Sequence, residues 1–195
     1  GEYVIFNKTG IKTKCRYWKL PNKFDSLIYD QNEALHVINN ALQSSVKSQL
    51  TSDVPVGAFL SGGIDSPLIC YYANKFLDGN LMAFTAGSDS IVHDETNISK
   101  KYAKLIGLRQ FVEKLNGKKV ADVFSEISAS ITEPFADFSI IPTFILSKIA
   151  KDHITVALSG DGGDELFFGY ERFWSIAKNL NIQNLSYFTK YILYA

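Results

Sequence analysis

The sequence predicts an α/β fold, a parallel sheet with helices on both faces, and three observations predict it. A continuous apolar run of strand length, Val54 to Leu60, stops abruptly at Ser61-Gly62-Gly63. The stretch after it, Ile64 to Leu77, places Ile64, Leu68, Tyr71, Tyr72 and Phe76 at helical spacing. The strand, loop and helix cycle then returns, with Leu81 to Ala86 as a strand, Glu95 to Ile106 as a helix and Gln110 to Leu115 as a strand, and that alternation makes parallel βαβ units.

In chain order, residues 1–20 alternate loosely around Gly10, as a hairpin or two edge strands do, and Pro21-Asn22 breaks the pattern. From Asn32 to Leu50, Leu35, Ile38, Leu42 and Val46 recur with the period of an amphipathic helix. Pro67 falls near the first turn of the helix after Gly63, where its missing N–H costs nothing. Helices near Val120 to Ile131 and Ile140 to Lys151 lead to a fourth strand, Ile154 to Leu158, read as buried and again closed by Ser-Gly.

The chain has 195 residues, of which 46% are apolar, enough for one well-buried core. Its 20 Lys+Arg balance 20 Asp+Glu, which removes the broad electrostatic case for binding nucleic acid or an anionic membrane. Cys15 and Cys70 form no CxxC pair, so neither a disulfide scaffold nor a cysteine zinc site is supported, and a reducing compartment fits. No apolar run approaches the roughly 20 residues of a membrane helix, and Gly1-Glu2-Tyr3 does not begin a signal peptide, so a cytoplasmic location is expected. Both ends read as cut, the last stretch, Leu185 to Ala195, stopping inside an aromatic pattern.

Chemistry concentrates in two loops. Ser61-Gly62-Gly63-Ile64-Asp65-Ser66 lies where a strand turns into a helix, and there free backbone N–H groups and the helix dipole favour a phosphate. It is not a Walker A loop, because Gly63-Ile64 stands where Lys and Ser/Thr are required. Asp65 would repel a phosphate unless Mg2+ lay between them, which suggests a metal-bound polyphosphate. The second loop, Ser159-Gly160-Asp161-Gly162-Gly163-Asp164-Glu165, also follows a strand and fits neither the dinucleotide fingerprint nor an EF-hand. Ligands of open parallel sheets bind at the carboxyl ends of strands, so both loops are expected at one crevice. His36, His93 and His153 are expected in surface, packing or helix-terminus roles, and Cys70 in the core.

Ser61 to Ser66 resembles the signature of the PP-loop ATP pyrophosphatases. Val54-Pro55-Val56-Gly57 and Ala157 to Tyr170 resemble the synthetase domain of glutamine-dependent asparagine synthetases, as do Tyr17-Trp18, Glu133-Pro134-Phe135-Ala136-Asp137 and Ile141-Pro142-Thr143. The resemblance implies a Rossmann-like sheet of the adenine nucleotide alpha hydrolase type and ATP-dependent amidation of a carboxylate through an acyl adenylate, most simply aspartate to asparagine. By the same resemblance Leu60 and Ala86 would meet the adenosine, Ser159 and Gly160 the adenylate, and Ser61, Gly62, Gly63 and Ser66 the pyrophosphate. Asp65 and Asp164 would hold Mg2+, and Asp161, Asp164 and Glu165 would serve catalysis. Residues 1–30 would connect to a preceding glutaminase domain that supplies ammonia, and 31–195 would form an ATP-binding domain continued by a helical lobe. The segment by itself is expected to form no amide, and a homodimer is compatible with the family. Departures are Pro67 in place of a second Ser, and Phe138-Ser139 in place of Pro-Ser.

Rival readings are an amidotransferase for another carboxylate such as a sugar acid or peptide, a tRNA-modifying PP-loop protein, and a nucleotide-binding module without turnover. Zero net charge and isolated cysteines disfavour the tRNA enzyme. Intact Asp65, Asp161, Asp164 and Glu165 disfavour a degenerate module.

Overall fold

The apolar runs with strand-forming residues become the strands expected of them. The computed structural model describes residues 1–19, 28–89, 94–133, 137 and 139–179. Pro21-Asn22, His93, Pro134 to Ala136, Phe138 and Leu185 to Ala195 lie outside the described residues. The chain divides into two units, Gly1–Asn40 and Ala41–Ala195, the division falling within one helix.

In the first unit, β1 (Glu2–Asn7) and β2 (Gly10–Arg16) pair antiparallel, Tyr3 opposite Cys15 and Asn7 opposite Gly10, which is the expected hairpin. Glu2 is bound by Lys14 at 3.0 Å and Arg16 at 2.6 Å. The helix α1 (Gln31–Gln49) begins here, with exposed His36 beside the Asn40 amide at 3.0 Å.

In the second unit, β3 (Val56–Phe59), α2 (Asp65–Phe76), β4 (Met82–Ser88), α3 (Thr96–Ile106) and β5 (Arg109–Leu115) form two successive βαβ units. Then α4 (Gly117–Ser130), whose N-cap Asn116 accepts from the Lys119 amide at 2.9 Å, and α5 (Ile140–Ala150) lead to β6 (Val156–Leu158). All four strands are parallel in the order β5-β4-β3-β6, as the alternation of the sequence predicts. Two helices follow, α6 (Gly163–Phe167) and α7 (Glu171–Asn179).

Period-two alternation divides the core between the two faces of the sheet. Ala58, Leu81 and Ala83 turn to one face with Val46, Cys70, Tyr72, Ala73 and Ala103 from α1, α2 and α3. Phe59, Met82, Phe84 and Ala86 turn to the other with Leu146 and Ala150 of α5 and Ile154. Full burial of Phe84 alone contributes about 2–3 kcal/mol. Cys70 is fully buried as expected, and burial pushes its thiol up to about 12. His153 lies beyond α5, its ring stacked 4.5 Å from that of Phe111, so packing accounts for it as well as any helix dipole does.

The fourth strand departs from its expected burial. Val156 and Ala157 are exposed, because β6 pairs only with β3 and, among the described residues, no strand covers its outer edge. An apolar run signals a strand but not how many neighbours it has. Among the described residues no helix is long and apolar enough to cross a membrane.

Candidate active site

The strand order reverses at β3, whose connections run first to β4 and β5 and later return to β6 on its other side. A crevice opens outside the carboxyl ends of strands at such a switch point, and both glycine-rich loops start there. Leu60 closes β3 inside the core, 3% exposed, its N–H donating to the Phe84 carbonyl at 2.8 Å and its carbonyl accepting the Thr85 hydroxyl at 2.8 Å. Ala86, farther along β4, packs toward the opposite face.

In the loop that follows, the amides of Ser61, Gly62 and Gly63 are all bonded. Ser61 N–H donates to Ser66 Oγ at 2.8 Å, the two hydroxyls lie 2.8 Å apart, and Gly63 N–H donates to Ser61 Oγ at 3.1 Å. Gly62 N–H donates to Glu95 Oε2 at 2.8 Å. The expectation of free loop N–H groups is therefore corrected: two hydroxyls close a ring across the turn, and the residue before α3 brings a carboxylate to the remaining amide. The open side of the loop is at Gly63, beside the N-terminus of α2, whose first turn lacks the N–H of Pro67 and has Ser66 N against Gly160. A Cβ on Gly63 would meet only Ser61 Oγ, at 3.3 Å. On Gly62 it would lie 2.9 Å from Glu95 Cβ and 3.3 Å from Ile98 Cβ, so this glycine admits α3 rather than a phosphate oxygen.

The second loop packs directly onto the first, as the shared-crevice expectation requires. A Cβ on Gly160 would lie 2.8 Å from Ser66 N, and one on Gly163 would overlap the Asp65 carboxylate, 2.6 Å from Oδ2. Only glycines let the two turns approach this closely. Burial, and then the charge of Asp164, push the Asp65 carboxyl above its ordinary value, which places both carboxylates within one electrostatic environment. Asp161 Oδ2 accepts the Ser159 hydroxyl at 2.9 Å and is otherwise exposed.

The sequence pattern places Glu165 in an acidic loop; it instead stands in the short helix α6, bonded by Tyr170 OH at 2.6 Å. That hydrogen bond, with the Arg172 charge, holds its carboxyl below the ordinary value. Arg172 lies 4.0 Å from the Tyr170 ring centroid. The sequence reading did not single out Glu95, Thr85, Gln110, Tyr170 or Arg172. An acid opening the helix after a central strand is the signal that could have found Glu95, since such a residue also stands at the carboxyl end of the sheet.

Among the described residues no three His, Cys, Asp or Glu side chains are arranged to hold a metal. Asp65 and Asp164 provide hard oxygen donors from two side chains, which suits Mg2+, an ion that usually takes one or two carboxylates and completes its shell with water and phosphate.

Residues 37–189 match the sequence profile of a family described as asparagine synthase. Asparagine synthetase (glutamine-hydrolyzing) 1 of Bacillus subtilis (strain 168) is 36% identical over 170 residues, covering 87% of this chain and 26% of that protein. A putative asparagine synthetase (glutamine-hydrolyzing) 2 of Methanocaldococcus jannaschii is 38% identical over 161 residues, covering 80% of this chain and 30% of that protein. The chain thus spans less than a third of the length of either relative. The U34-tRNA thiolase NcsA of Methanococcus maripaludis superposes with a TM-score of 0.50 at 16% identity over 74% of this chain and 54% of that one, a likeness of fold alone.

Proposed function

Because the chain belongs to the asparagine synthase family, we propose that the protein containing it amidates a carboxylate with ATP, converting aspartate to asparagine with ammonia released from glutamine by another domain of the same protein. The observation that carries this reading is the packing of Gly160 and Gly163 onto Asp65 and Ser66, which joins the two acidic, glycine-rich loops into one site. A carboxylate resists attack by ammonia until a good leaving group is installed, so the reaction needs an activating nucleotide more than a protein nucleophile. The carboxylate oxygen would attack the α-phosphorus of ATP and expel the β- and γ-phosphates as pyrophosphate, and ammonia would then attack the acyl carbon and expel AMP.

In this reading the strand ends at Leu60 and Ala86 border the adenosine with their main chain, their side chains being packed toward opposite faces of the sheet, and Ser159 and Gly160 flank the adenylate. Ser61, Gly62, Gly63 and Ser66 form the pyrophosphate loop at the N-terminus of α2, Gly63 offering its open side and Gly62 shaping the loop through its bond to Glu95. Asp65 and Asp164 would hold Mg2+, which would supply neutralisation of phosphate charge. Asp161, exposed beside the adenylate position, receives the proton lost by attacking ammonia, and Glu165 orders the α6 end of the site through Tyr170.

The test is ATP–pyrophosphate exchange by the full-length protein with aspartate present and Mg2+ varied. Exchange should depend on both, and Asp65→Asn or Asp164→Asn should reduce it by about two orders of magnitude or more while glutamine hydrolysis persists. Exchange that responds to a different carboxylate and not to aspartate would replace the substrate. Near-normal exchange in both variants across the Mg2+ range would move the metal site elsewhere.

A further inference from the structure

Glu95 stands immediately before α3, and its carboxylate accepts the Gly62 N–H at 2.8 Å. Its stem lies against the Gly62 Cα, and Ile98 lies against the same face. That face of Gly62 is therefore filled by the α3 end, which leaves no space for a phosphate oxygen there, whereas the adjoining face of Gly63 is open. A peptide unit whose N–H is directed to one side turns its neighbours' groups to the other.

The helix carrying Glu95 is itself fixed. Asp94 accepts from the Thr96 amide at 3.0 Å, from the Thr96 hydroxyl, and from the Ser88 amide at 3.3 Å, which ties the helix start to the end of β4. Farther along, fully buried Ser99 accepts from Gln110 Nε2 at 3.1 Å, and the same nitrogen donates to Thr85 Oγ1 at 2.8 Å. Thr85 in turn holds the Leu60 carbonyl. The residue before the loop and the amide within it are thus both referenced to α3, the first through Thr85, Gln110 and Ser99 and the second through Glu95.

The geometry points to Glu95 as a positioning residue that sets the Gly62 peptide plane and so presents the Gly63 side of the loop to pyrophosphate. This deepens the proposed function and rests on it for the identity of the ligand. The role requires an acceptor oxygen at the end of a side chain of this length and does not require its charge. Glutamine should therefore replace glutamate, and alanine should not.

The experiment compares full-length wild type, Glu95→Gln and Glu95→Ala in two measurements. The first is amide hydrogen exchange of the peptide containing Ser61 to Gly63, without nucleotide. The second is the KM for MgATP and the kcat of ATP–pyrophosphate exchange. Alanine should speed loop exchange and raise the KM about tenfold or more with a smaller effect on kcat, as expected for loss of a charge-assisted hydrogen bond. Glutamine should stay within about threefold of wild type in both, since a neutral acceptor retains most of such a bond. The inference is overturned if alanine behaves as wild type in both measurements, or if glutamine is as damaging as alanine. It is overturned equally if either variant binds MgATP more tightly, which would make Glu95 a competitor of the phosphate for the Gly62 N–H. Absence of ATP–pyrophosphate exchange in the wild type would count against the proposed function, and the loop's hydrogen exchange would still judge Glu95.

Discussion

The Asp65 carboxylate lies against the Cα of Gly163, so close that a methyl group there would overlap the carboxyl carbon and approach Oδ2 to 2.6 Å. The approach brings a carboxylate from one loop against the backbone of another that is distant in sequence. It makes Gly163 as specific a requirement as the acids beside it.

Gly163→Ala should therefore displace Asp65 without removing any charge. ATP–pyrophosphate exchange by the full-length protein should fall at least about tenfold, the cost of a modest misplacement at a reacting centre. Its Mg2+ requirement should shift to higher concentration. Gly63→Ala is the control, because its Cβ meets only Ser61 Oγ, at 3.3 Å. It should leave thermal stability nearly unchanged, whereas Gly163→Ala should lower it.

The buried relay from Gln110 through Thr85 to Leu60 predicts an order of stability. Thr85→Val keeps the strand shape but leaves the Leu60 carbonyl and one Gln110 N–H without partners, at a cost of about 2–3 kcal/mol. Gln110→Leu removes the shared donor, while Thr85 and Ser99 still donate to the Leu60 and Thr96 carbonyls. Its cost should be about 1 kcal/mol. Urea unfolding of the full-length variants checks the order, and a larger loss at Gln110 would refute it.

Asp94 predicts a pH dependence. Bonds from the Thr96 hydroxyl and then the Thr96 amide, with the Ser88 amide and the Lys114 charge, hold its carboxyl below 3.8. The folded state therefore binds this proton less readily than the unfolded chain does. The resulting stabilisation is complete above the unfolded value and is lost as the pH falls through the lower folded value. Melting temperatures measured from about pH 6 to pH 2.5 should show Asp94→Asn less stable than wild type at the upper end. The gap should close toward the acid end, and a gap independent of pH would contradict the sign.

Phe168 ends α6 in the left-handed region, φ 57°, and its ring packs edge-on to Phe173 with centroids 5.5 Å apart. Phe168→Ala loses the ring and keeps the strain, whereas Phe168→Gly loses both. Glycine should be more stable than alanine by about 1 kcal/mol, the cost of left-handed backbone for a residue with a Cβ. Equal melting temperatures for the two would mean that the strain is relieved elsewhere.

Strands and long helices were legible because each is specified by residues within one short window. The alternation of Phe59, Met82 and Phe84 against Ala58 and Ala83 encodes the two faces of the sheet. The strand order is not local information, and so the exposure of Val156 escaped the reading of its apolar run. The acids and glycines of both loops marked a candidate site, because few cores tolerate such residues. What their spacing did not reveal was direction. Gly62 faces Glu95 and Ile98, and Glu165 faces Tyr170. Short helix α6 hid among residues that individually favour turns, since its boundaries depend on the backbone bonds of Leu166 to Gly162 and Gly169 to Asp164.

The late return of β6 to the side of β3 has a kinetic consequence. During synthesis from the N-terminus, β3, β4 and β5 with their two crossover helices emerge first, whereas Gly160 and Gly163 reach Asp65 only after α4, α5 and β6 have followed. Contacts that span so much chain close slowly, since the entropy of the intervening loop must be lost before they form. The meeting of the two loops is therefore expected late in the assembly of this sheet. On the proposed function, a nucleotide that binds only the finished site would draw the final docking of β6 forward by mass action, and its concentration should then raise the yield of folded protein in refolding.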